Sequence, residues 1–163
     1  MIRFILVLLL TSTLNLGFAQ STPPAELLPT AVDSIRINVL LNRGKEMLLP
    51  NESEIHELLG TAKLESKEAQ KFIKRLSKKS AYKYGRALLT HHNLVFICYS
   101  AEKVVLTVEI STLTRNIDLY KKDSDKEFYG KISKKTGNYL VKLLVKLNLY
   151  EPLQEIGDTE GID

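Results

Sequence analysis

Residues 93–111, NLVFICYSAEKVVLTVEIS, decide the fold of this chain. Two runs rich in β-branched and aromatic residues flank a short polar step at Ala101-Glu102. That pattern is a β-hairpin. Centring the turn on those two residues pairs positions whose numbers sum to 203: Tyr99 with Val104, Ile97 with Leu106, Val95 with Val108, Asn93 with Ile110. This face is almost wholly apolar and is expected to meet the core. The other face pairs Cys98 with Val105, Phe96 with Thr107, Leu94 with Glu109 and His92 with Ser111.

Working outward, Ile35, Ile37, Val39 and Leu41 alternate along Ser34–Leu41 and predict another strand. Asn42-Arg43-Gly44-Lys45 supplies turn residues, and Glu46–Leu49 is expected to return as a short strand. Asn51 and Glu54 have capping-box spacing. Ile55, Leu58, Leu59 and Ala62 follow at i, i+3, i+4 and i+7, which predicts a first helix. Ser66 opens a second, with Ala69, Phe72, Ile73 and Leu76 on its apolar stripe and Gly85 beyond its end. Ile117–Tyr120 reads as a further strand, and the lysine-rich stretch 121–135 as a loop. Thr136 or Asn138 caps a last helix, whose inner face is Tyr139, Leu140, Leu143, Leu144 and Leu147, with Lys142 and Lys146 toward solvent. Strands and helices fall in separate blocks. The expectation is an α+β domain: a small antiparallel sheet of three to five strands with about three helices packed on it.

The ends of the chain differ in character. Residues 1–19 carry Arg3, an apolar run from Phe4 to Leu10 and small residues at Gly17 and Ala19, the three parts of a secretory signal peptide. Thr11, Ser12, Thr13 and Asn15 interrupt the run before it reaches the roughly 20 residues a membrane span needs. Cleavage would leave Gln20 first, with no cysteine to accept a lipid anchor. Residues 20–32 hold three of the five prolines and read as a linker. Residues 33–150 form the expected domain, and 151–163, with five acids and no base, an acidic tail. The expected product is soluble, periplasmic or extracellular, with no transmembrane segment after cleavage. Its 22 basic and 19 acidic residues give +3, only mildly basic. Cys98 is the single cysteine, so no internal disulfide forms, and it reads as a small buried strand residue.

Three constellations bear on function. His92 sits diagonally near Glu109 in the hairpin, with Ser111 opposite, the raw material of acid–base or nucleophilic chemistry. The same pair also serves as an ordinary ion pair at a strand end. Lys67, Lys71, Lys74 and Lys78 recur at helical spacing and form a stripe fit for an anionic surface or an acidic partner. A solvated helix face gives the same pattern. Tyr82 and Tyr84 beside Lys83 and Arg86 form either a ligand rim or a hydrophobic closure. No glycine-rich phosphate loop, nucleophile elbow, His-Glu-x-x-His or Cys/His metal spacing occurs, so no cofactor or metal is expected. Export and the lack of a nucleic-acid motif argue against nucleic acid.

Residues 86–114 resemble a stretch of small, uncharacterised exported bacterial proteins, through His91, His92, Val95, Phe96, Glu109 and Ile110. The signal's Gly17-Phe18-Ala19-Gln20 resembles theirs as well. Where cysteines would be expected around the hairpin, this chain has Ala87, Ser111 and Thr114. The resemblance implies export and a hairpin, and no established activity. The leading expectation is a non-catalytic binding or interaction module of the bacterial envelope, its partner an envelope protein or an anionic surface. The alternatives are a small hydrolase or metal-dependent enzyme using His92 and Glu109, and anion binding through the lysine stripe.

Overall fold

The computed structural model describes residues 23, 25–42, 56–88, 91–155, 157 and 159–163. The signal peptide, the expected strand Glu46–Leu49 and the capping box at Asn51 lie outside these residues. Among the described residues seven strands form one antiparallel sheet: β1 Ser34–Asn42, β2 His56–Glu65, β3 Tyr82–Lys83, β4 Leu94–Ser100, β5 Lys103–Ile110, β6 Asn116–Lys121 and β7 Glu127–Ile132. Their spatial order is β2-β1-β4-β5-β6-β7-β3. Three helices accompany them: α1 Ser66–Leu76, α2 Lys134–Lys146 and α3 Tyr150–Glu155. The expectation of three to five strands is therefore corrected to seven, within an α+β arrangement.

One face of the sheet is a continuous apolar surface, because inward residues line up across the strands. One such row runs Ala62, Ile37, Phe96, Val108, Leu119, Phe128. The row beside it runs Val39, Leu94, Ile110, Ile117. Helix α1 buries Ala69, Phe72, Ile73 and Leu76, and Phe72 stacks on Phe96 at 4.4 Å. Helix α2, capped by the Ser133 hydroxyl accepting from Thr136 N, adds Leu140, Leu143 and Leu144. A stacked, fully buried aromatic pair adds about 0.5–1.5 kcal/mol to the area it hides. It also ties the centre of α1 to the centre of the sheet.

The helix expected over Ile55–Ala62 is a strand where the chain is described. Residues 56–65 pair with β1 from Ser34↔Glu65 to Asn42↔His56. The inward positions of β2 are Gly60, Ala62 and Leu64, and a Cβ at Gly60 would lie 2.8 Å from Leu149 Cδ2. Close packing demands small residues there, and small residues erase the alternation that marks a strand. A bulge opposite Val39/Leu40 makes Leu59 an extra residue and turns Leu58 outward, where it is exposed.

The hairpin forms with a corrected register. Tyr99↔Val104 and Ser100↔Lys103 pair as expected at the tip. A bulge then shifts the ladder by one residue, giving Cys98↔Leu106, Phe96↔Val108 and Leu94↔Ile110. Leu94, Phe96 and Cys98 face the core, and Val95 and Ile97 the opposite side. A one-residue shift inverts a whole strand. β4 is apolar on both faces, so its pattern could not choose between them. Cys98 is buried and not in a disulfide.

Other departures follow from packing. β7 occupies part of the stretch 121–135 expected as a loop, and its Phe128 and Ile132 enter the core. Residues 25–32, expected as linker, contribute Leu27, Leu28 and Val32 to the core, and Lys121 Nζ donates to Glu26 O at 2.6 Å. In the stretch expected as a tail, Leu153 and Ile162 are buried. Among the described residues, no helix is long and apolar enough to cross a membrane.

Candidate functional site

Among the described residues the longer helices turn their apolar stripes to the inner face of the sheet, and the outer face carries Arg36, Lys63, Glu109 and Asp118. The β5–β6 register sets Glu109 opposite Asp118. Two adjacent carboxylates repel, so groups that offset their charge are needed beside them. They come from the segment between β3 and β4. Asn116 holds that segment down: its Oδ1 accepts from Ala87 N and its Nδ2 donates to Ala87 O. Arg86 then reaches Asp118, Nη2 to Oδ2 at 2.8 Å. At the other end, Asn93 Nδ2 donates to Thr112 Oγ1, and Thr112 N donates back to Asn93 Oδ1. This fixes the strand entry so that His92 lies between the two carboxylates. Its Nδ1 is 3.4 Å from Glu109 Oε2 and its Nε2 is 3.1 Å from Asp118 Oδ2.

The cluster is poorly solvated. The Asp118 side chain is 2 % exposed, His92 16 %, and Glu109 and Arg86 31 % each. Around it stand Tyr120 and Tyr129, edge to face, and the Arg86 guanidinium lies 4.8 Å from the Tyr129 ring centre. Burial, with Glu109 and Asp118 adding to it, pushes the Tyr120 phenol well up. The hydrogen bond to Glu127 raises that of Tyr129. Both phenols stay neutral in ordinary buffers and present hydroxyls rather than charge.

The sequence-predicted residues are thus distributed. His92 and Glu109 meet. Ser111 is fully buried and its Oγ accepts from Thr114 N, stabilising the turn after β5. Asp118, which meets both His92 and Arg86, was missed. The missing signal was the meander: continuing the antiparallel register past β5 places Asp118 beside Glu109 on one face. Lys67, Lys71 and Lys74 are exposed along α1, while Lys78 is exposed past the end of the helix. Glu68 beside that stripe binds Lys146, which holds its carboxyl below the usual range. Tyr82 is buried and donates to Leu76 O at 2.8 Å, so it closes the helix end, whereas Tyr84 is exposed. Among the described residues, no group of three or more His, Cys, Asp or Glu is arranged to hold a metal.

The outer face also carries a cleft of about 630 Å³ at its β2 end, between that edge strand and the β4–β5 tip. Arg36, Lys63, Tyr99, Ser34, Asp33 and Glu102 line it. Arg36 and Lys63 are cross-strand neighbours, and the Arg36 guanidinium lies 5.7 Å from the Tyr99 ring centre. No protein family matches the chain, and no curated protein or solved structure does.

Proposed function

We propose that this chain is an exported, non-catalytic binding protein of the bacterial envelope that presents the outer face of its sheet to a partner or ligand. The observation that carries the non-catalytic part is the environment of His92. Each ring nitrogen lies within ion-pair distance of a carboxylate oxygen of its own protein, at 3.4 and 3.1 Å, and Nε2 is buried from solvent. A general base needs a nitrogen turned toward the substrate proton. A nucleophile–base pair needs a hydroxyl on the ring, and the Ser111 hydroxyl serves its own turn. The cluster acts as a clasp that ties Arg86 and His92 to the sheet. The signal-like residues 1–19 support export.

Turnover of ester, phosphomonoester, peptide and glycoside chromogenic substrates is the direct test, with wild type compared to His92→Gln. Background rates equal in both proteins are expected. Turnover by wild type that the substitution abolishes, with folding intact by circular dichroism, overturns the reading in favour of an enzyme. Export is tested by intact mass of the protein recovered outside the cytoplasm. It is expected to begin at Gln20, and a retained Met1–Ala19 segment refutes it.

A further inference from the structure

Arg36 and Lys63 sit directly opposite each other on β1 and β2. Like charges at such positions destabilise a sheet. Lys63 is partly relieved by Glu65 at 3.1 Å. Among the described residues no carboxylate lies within ion-pair distance of Arg36, whose contact is the face of Tyr99. The fold thus keeps a guanidinium outside any ion pair among those residues, beside a second cation, in the lining of a cleft of about 630 Å³, a size that suits a small organic ligand.

The hairpin tip in the lining of the cleft is also built at a cost. Ala101 and Glu102 form the hairpin tip with φ of 47° and 63°. Such a turn normally uses Asn-Gly, because a side chain in the left-handed region costs about 1 kcal/mol or more. Asp33 holds the strained tip in place, its Oδ2 accepting from Ala101 N at 2.6 Å. The result is a fixed rim that carries the Glu102 carboxylate. Two cations, Arg36 and Lys63, and two acids, Asp33 and Glu102, line the cleft, so it carries no excess positive charge to draw a polyanion, while the Arg36 guanidinium can still pair with a single anionic group. The Tyr99 ring, Ala101 and the aliphatic stems of Arg36 and Lys63 offer the remainder of the ligand an apolar surface.

We infer that this cleft binds a small monocarboxylate with an apolar body, its carboxylate held by Arg36 and Lys63. The inference rests on the reading of the protein as a binding module and gives that module its ligand class. Arginine offers a planar fork that matches a carboxylate, and stacking on Tyr99 pre-orients it.

Benzoate is the probe, titrated into the purified protein and followed by backbone amide shifts. Saturable shifts are expected at Ser34–Arg36, Thr61–Lys63 and Ala101–Glu102. Benzyl alcohol, the neutral analogue, and inorganic phosphate, an anion without an apolar body, are each expected to bind at least about tenfold more weakly. Arg36→Gln should weaken benzoate about tenfold and Lys63→Gln by a smaller factor, with Arg36→Lys recovering part of the loss. Both side chains are exposed, so the variants keep the fold. The inference is overturned by any of four results: no saturable shift, equal affinity for benzyl alcohol or phosphate, shifts confined to the α1 lysines, or an unchanged Arg36→Gln. None of these touches the non-catalytic reading, which falls only to His92-dependent turnover.

Discussion

Replacing Arg86 by Leu tests the clasp on the outer face. Asp118 is a buried carboxylate with Arg86 at 2.8 Å and His92 at 3.1 Å from the same oxygen. Removing one member of a fully buried pair costs about 3–5 kcal/mol, because the other charge is left without compensation. Two features reduce that figure here. Arg86 is 31 % exposed, so water already shares its charge, and His92 remains beside Asp118. Against this, the substitution also removes the guanidinium from the Tyr129 ring, worth about 0.5–1 kcal/mol at a partly exposed site. The expected loss is about 2–3 kcal/mol. For a chain of this size that lowers Tm by about 5–10 °C. Urea unfolding gives the free energy, and a cycle with Asp118→Asn isolates the coupling. The double variant should lose at least about 1 kcal/mol less than the two single losses combined. A loss below about 0.5 kcal/mol, typical of an unremarkable surface change, refutes the proposal that this ion pair acts as a clasp.

Two further predictions concern parts of the fold remote from that cluster. Gly161→Ala would place a Cβ 2.0 Å from the Leu113 carbonyl oxygen and 2.3 Å from that of Thr112. The backbone must move, so a loss of about 2 kcal/mol and faster proteolytic trimming of the C-terminal segment are expected, and an unchanged melting curve disproves the packing of that segment. Burial pushes the Cys98 thiol up to about 12. Alkylation at pH 8 should therefore run about a thousandfold slower in the folded protein than for a free thiol, and labelling at the free-thiol rate refutes its burial. The sign for stability follows from the same shift. Above about pH 8.5 the unfolded chain releases the thiol proton while the folded chain keeps it, so stability falls with rising pH until the folded thiol itself ionises. By pH 10 this contributes about 2 kcal/mol of destabilisation, and urea midpoints of wild type and Cys98→Ala should converge or cross over that range.

What could be read from the sequence depended on how much each element's inner face differed from its outer one. Helix α1 was read in full, because Ala69, Phe72, Ile73 and Leu76 share a stripe bounded by lysines. The inner face of α2 was read as well, since Leu140, Leu143 and Leu144 are buried while Lys142 and Lys146 are exposed. β1 alternates cleanly and was placed within a residue of its observed end. Two of the strands that were missed carry small residues at inner positions. Gly60 and Ala62 in β2 and Gly130 in β7 lie where a larger neighbour, Leu149 or Phe128, fills the space. A pattern method sees such a strand as weakly apolar, and the Leu58-Leu59 pair beside a bulge then imitates a helical stripe.

The site followed the same rule at the level of charges. His92 and Glu109 were paired from the hairpin, and they meet although the register used was one residue off for most of β4. The pairing survived because His92 lies beyond the strand end, where the chain is placed by Asn93 and Thr112 rather than by the ladder. Asp118 went unseen for the opposite reason: its role depends wholly on the ladder, through the β5–β6 register that sets it beside Glu109. That omission mattered chemically. With Glu109 alone, His92 keeps one nitrogen for a substrate and resembles a catalytic base. With Asp118 beside the second nitrogen and Arg86 on Asp118, the same histidine is enclosed by groups of its own protein, and the proposal of a non-catalytic clasp rests on that enclosure.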